Sequence, residues 1–234
     1  MIQKSQILEG LLVVWMRIKN KIWLLIPIFG AISFVILYIV STFLYPGGSQ
    51  ANTKSEGFSW ANNYWCNLLY KNAVNGKKNP ARPFALTGMI ILSSTISFFW
   101  FLFPVQIKTS KYRKIIIQVS GSLSMIFAIF LYTDIHDEMI NTAGFFGAIA
   151  FIGTFIGLYQ IKWYGLFILG IINLILLLLN SFIYHIDNLI VYLPIIQKIS
   201  FATFLIWICC IDLLFFLSNN SIKYENKLLT KKNQ

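Results

Sequence analysis

Six runs of about 20 mostly apolar residues recur along the chain, each closed by charged or turn-forming residues. A helix of that length matches the thickness of a bilayer's hydrocarbon core. Inside lipid only helices and closed barrels can satisfy their own backbone hydrogen bonds. The runs fall at 22–45, 83–107, 115–133, 143–161, 165–184 and 194–217. The expected fold class is therefore all-α, a polytopic membrane bundle of six transmembrane helices. Only 12% of the 234 residues are charged and 57% are hydrophobic, where a soluble domain carries about 25% charge. That excludes an ordinary soluble enzyme, a disordered chain and a disulfide-stapled secreted domain.

The net charge of +11 raises the question of nucleic acid, and the placement of the charge answers it. Basic residues sit in short clusters between apolar runs rather than in one stripe. Lys4, Arg17, Lys19, Lys21, Lys108, Lys111, Arg113, Lys114, Lys162, Lys223, Lys227, Lys231 and Lys232 fall on one side of a six-span path. Lys54, Lys71, Lys77, Lys78, Arg82 and Lys198 fall on the other. Positive-inside bias puts both termini in the cytoplasm of a cell with this protein in its (inner) membrane. The expected partners are membrane lipids and other membrane-protein subunits, with no nucleic acid.

Residues 1–21 read as a cytoplasmic amphipathic helix, with Ile7, Leu11, Trp15 and Ile18 on one face. The membrane domain is expected over 22–217 and a basic cytoplasmic tail over 218–234. Small residues in the third and fourth spans, including Gly121, Gly153 and Gly157, point to close helix packing. The longest connection, 46–82, lies outside. In it Phe58, Ala61, Trp65, Leu68 and Asn72 follow three-four spacing, which predicts an aromatic-rich interfacial helix over 58–72 on the outer surface. Cys66 is expected to be unpaired, because Cys209 and Cys210 lie near the opposite membrane face.

The string Asn63-Tyr64-Trp65-Cys66-Asn67-Leu68-Leu69, then Asn75-Gly76, then Asn79-Pro80-Ala81-Arg82-Pro83 leading into a span, resembles an uncharacterised family of small bacterial membrane proteins. That resemblance covers the loop and a later His-Asp pair like His136-Asp137. It implies a similar ordering, often with Asp where this chain has Asn67, and brings no established activity.

Two further outer segments are polar: Asp134, His136, Asp137 and Glu138 in one, His185 and Asp187 in the other. Oxygen and imidazole groups of this kind bind divalent metals, and imidazole suits acid–base work. One reading makes His136 a general base oriented by Asp137, or makes His136, His185, Asp134, Glu138 and Asp187 metal ligands. The other holds that short loops at a membrane surface are polar because they are wet. A haem site using both histidines is disfavoured, since only two are available. In the fifth span Asn173 and Asn180 recur every seven residues with Asp187, and Tyr184 lies one turn from Asn180. A seven-residue step returns to within about 20° of the same face, so this seam should point into the bundle.

The leading functional reading is a lipid-binding or membrane-assembly module with a polar site at the outer face. Its binding residues would be Asn63, Trp65, Asn67, Arg82, Asn180 and Tyr184. The alternative is a membrane-embedded, metal-dependent enzyme acting on a lipid or lipid-linked substrate at the outer leaflet. The outer segments are expected to converge on one polar cleft, with Asn63 and Asn67 closing it from above.

Overall fold

The computed structural model describes residues 22–107, 109–133 and 135–232, with side chains as far as 218. The expected 1–21 helix, Asp134 and the side chains of the tail lie outside that range. Six helices follow the apolar runs: α1 Ile26–Leu44, α2 Arg82–Gln106, α3 Lys111–Ile129, α4 His136–Gln160, α5 Tyr164–Tyr184 and α6 Leu193–Lys232. All six are long and apolar enough to cross a membrane, consistent with an integral, multi-pass membrane protein. Among the described residues no β-strand forms, only isolated bridges between Gly47 and Glu56 and between Asn72 and Lys78.

Most span boundaries fall close to the hydropathy breaks. The exceptions are α4, which begins at His136 rather than at 143, and α6, which runs on to Lys232 instead of ending at 217. The first turn of α4 holds Asp137 and Glu138, whose carboxylates complement the exposed N–H groups and positive end of the helix dipole. Charge read as loop polarity is helix-terminal polarity here.

α2 is the mast of the bundle. Of its most apolar window 56% is buried, against at most 33% in any other span. Phe99, Trp100 and Phe103 on α2 are enclosed, and α1, α3, α4 and α6 pack against this helix. Gly121 of α3 lets that helix ride over Trp100, since a Cβ there would stand 2.6 Å from three Trp100 atoms. Gly153 and Gly157 of α4 receive Ile117 and the Phe103 ring in the same way. Close approach of this kind is how helices associate where lipid removes the hydrophobic drive. On the far side Trp207 of α6 is fully buried, stacks on Phe151 at 4.9 Å and donates its indole N–H to the Leu166 carbonyl at 2.8 Å. Asp212 of the same helix is also buried.

The connection between α1 and α2 covers one end of the bundle. At that end α1, α3 and α5 finish and α2, α4 and α6 start. We call this connection the lid.

Candidate functional site

The lid is not the helix expected over 58–72. Only Trp65–Leu69 is helical, as a short 3-10 turn flanked by bends. The reason lies in its asparagines, whose short amides compete with the backbone for hydrogen bonds. Asn63 Oδ1 accepts the Ser59 N–H at 2.8 Å and Asn67 Oδ1 accepts the Tyr64 N–H at 2.7 Å. Asn63 Nδ2 reaches back to the Gly48 carbonyl at 2.8 Å. The Asn79 amide lies within 3.0–3.3 Å of the carbonyls of Asn67, Leu68 and Tyr70, which a continuous helix would direct along its own axis. Asn75 spans the base of the lid to the Pro46 carbonyl at 3.1 Å. Gly48 (φ +83°) lies so close to the Asn75 backbone that no Cβ fits. Asn63, Asn67 and Asn79 are all buried. Asn63 and Asn67 therefore bolt the lid together from within.

The apolar side of this turn docks on the bundle. Trp65 lies 4.7 Å from Tyr38 and 6.1 Å from Phe34 of α1, and Trp60 meets it edge-on. α6 clamps the other edge. Lys198 Nζ donates to the Asn63 carbonyl at 2.5 Å and sits over the Phe58 ring, while Gln197 Oε1 accepts the Trp65 N–H at 3.1 Å. Burial raises the Tyr45 phenol above its usual value and outweighs the hydrogen bond from the Val74 N–H, so that hydroxyl stays neutral.

His136 and Asp137 open α4 at the lid end of the bundle. His136 Nδ1 lies 3.0 Å from Asp137 Oδ1. Its Nε2 is buried without a well-formed hydrogen bond. Cys66, Cys209 and Cys210 are all free. Burial raises the Tyr64 and Tyr70 phenols, and the nearby Cys66 and Tyr184 add to the effect in both, as does Asp137 for Tyr70. Both tyrosines are thus neutral donors. Arg82, at the start of α2, donates from Nε to the Leu69 carbonyl at 3.1 Å and stacks over the Tyr132 ring at 5.9 Å.

The other expected site residues are dispersed. His185 is exposed at the end of α5, with Nδ1 2.7 Å from the Ser181 carbonyl. Glu138 and Asp187 are exposed. Among the described residues no group of three or more His, Cys, Asp or Glu side chains is gathered to hold a metal ion. Asn180 donates to Ser200 Oγ of α6 at 2.6 Å and to the Leu176 carbonyl at 2.8 Å, so this part of the seam joins α5 to α6. Asn173 is buried, its amide N–H bonded to the Leu169 carbonyl. Tyr184 is exposed and packs edge-on against His185.

No family model, curated protein or solved structure matches this chain. Sequence reasoning missed the clamp of Lys198 on the Asn63 carbonyl, 135 positions away. The one available signal was that Asn63 opens the Asn63–Leu69 string, whose asparagines prove to be scaffold.

Proposed function

We propose that this protein presents its lid face at the outer surface of the cell membrane and there binds a lipid or lipid-linked ligand through an anionic headgroup. The observation that carries this reading is Arg82. Only its Nε is bonded among the described residues, and the ring of Tyr132 holds the guanidinium plane. Its two terminal nitrogens are left for a phosphate, which a guanidinium grips bidentately. Tyr132, Tyr184, Trp60 and Trp65 at the same end suit the headgroup layer.

The purified protein should retain phosphatidylglycerol in preference to phosphatidylcholine, read by non-denaturing mass spectrometry. A hydrogen bond to a charged group contributes about 1.5–3 kcal/mol, so Arg82→Gln should cut that retention roughly tenfold. Equal retention of the two lipids, or no change in the variant, would overturn the reading. The orientation rests on the uneven distribution of Lys and Arg. A reporter after Gln234 should read as cytoplasmic, and a tag at the exposed Lys54 should be reached only from outside. The opposite pattern would put the lid in the cytoplasm. One specific observation favours catalysis as a second reading, the pairing of His136 Nδ1 with Asp137 Oδ1 at 3.0 Å.

A further inference from the structure

We propose that the groove between α1 and α6 seats one acyl chain of an anionic phospholipid from the leaflet remote from the lid, a second lipid separate from the one at Arg82.

The groove follows from how α1 is committed. Gly30 of α1 lies against the Thr95 side chain of α2, and a Cβ on Gly88 of α2 would stand 3.0 Å from the Tyr38 ring of α1. These two glycines draw α1 onto α2, and α1 packs far more extensively there than on α6. A cleft of about 380 Å³ is left between α1 and α6. Ala31 forms its floor, Ile32 and Val35 stand on one wall, and Ile206 and Leu213 on the other. The whole lining is aliphatic apart from the thiols of Cys209 and Cys210. On α6 it runs from Leu205 to Leu213, about 18–30 Å from Leu193 at 1.5 Å per residue. That depth puts it in the half of the bilayer away from the lid.

Hydrocarbon surrounds every span of a bundle, so apolar character alone selects no ligand. Shape and charge select one here. A close-packed protein does not keep a cleft of this size empty, because its walls would forfeit their dispersion contacts. A helix from another chain fits it poorly. Such helices seat on small residues, as α3 and α4 do at Gly121, Gly153 and Gly157. Along this groove Ala31 is the one small residue apart from the cysteines, and at 4% exposure it lies beneath the others. Ile32, Val35, Ile206 and Leu213 stand exposed as bulky rims, which keep a helix backbone out and leave a slot for a single unbranched chain.

The charge lies toward the mouth. In sequence, Arg17, Lys19 and Lys21 come just before α1. Lys223 and Lys227, with Glu225 between them, follow the groove segment of α6. Basic residues next to the spans that hold the chain are the complement of an anionic headgroup.

The test places the full chain in bilayers containing phosphatidylglycerol with a diazirine halfway along one acyl chain. Irradiation should label the segments 28–36 and 205–213 at about one lipid per chain, and unmodified phosphatidylglycerol should compete the label away. A phosphatidylcholine analogue with the same chain should label these segments about tenfold less. Cys209→Phe and Ile206→Trp, which fill the groove from its wall and from its exposed rim, should each cut the label about tenfold. Arg82→Gln should lose lipid at the lid and keep the groove label, so the two sites fail separately. Label spread evenly over the exposed face of α5, absence of competition, equal label from both lipids, or a label unchanged in both filled variants would overturn the proposal. A disulfide joining Cys209 or Cys210 of two copies under mild oxidation would overturn it too, by giving the groove to a second copy of the chain.

Discussion

Asn79→Asp should release the lid and lower the stability of the protein by about 3–5 kcal/mol. The native amide faces three backbone carbonyls with N–H donors, and its Oδ1 accepts the Ala81 N–H at 3.1 Å. Asp keeps that acceptor and replaces the donors with a second oxygen. Three carbonyls, those of Asn67 and Leu68 in buried contacts, then confront a carboxylate at a buried position. Asn79→Ala removes the amide altogether and leaves the same carbonyls unpaired, so it should be nearly as damaging. Thermal unfolding in detergent, with protease cleavage between residues 50 and 75, reads both effects. An Asp variant as stable and as protease-resistant as the wild type would show that the lid is held by its aromatic contacts alone.

Trp207→Ala should cost about 3–5 kcal/mol in the same unfolding assay. The ring is fully buried, packs between Phe151, Phe155 and Phe204, and bonds to the Leu166 carbonyl. Its loss leaves a cavity where α4, α5 and α6 meet. Trp207→Phe keeps most of the ring stacking and loses only the N–H and some volume, so its cost should be about 1–2 kcal/mol. A similar loss in both variants would assign the effect to the hydrogen bond. Near-neutral Ala would mean the three helices collapse onto one another without strain.

The spans were legible because hydropathy over about 20 residues is a sum that single residues do not overturn. The start of α4 was not, since Asp137 and Glu138 lower hydropathy whether they cap a helix or fill a loop. The lid failed for a different reason. Phe58, Ala61, Trp65 and Leu68 carry the helical period, and Trp65 does turn toward the bundle. Yet Asn63 and Asn67 divert the backbone hydrogen bonds that a helix requires. Periodicity records which side chains want burial, and it is blind to side-chain amides that rewrite the backbone pairing. Of the candidate site, the pair His136-Asp137 was visible as neighbours in sequence. The enclosure of His136 Nε2 was not, because it exists only once α4 is packed into the bundle.

The clamp of Lys198 and Gln197 on the lid bears on how the chain is made. Translation delivers α1, the lid and α2 before α6, and their mutual contacts can close while α6 is still on the ribosome. The two side chains that fasten the free edge of the lid belong to α6, which emerges only after α2, α3, α4 and α5. Each molecule therefore latches its lid only after α6 has entered the bilayer, and a chain stalled before that point carries an unlatched lid. Assembly order thus ties the closing of one end of the bundle to the arrival of a distant helix.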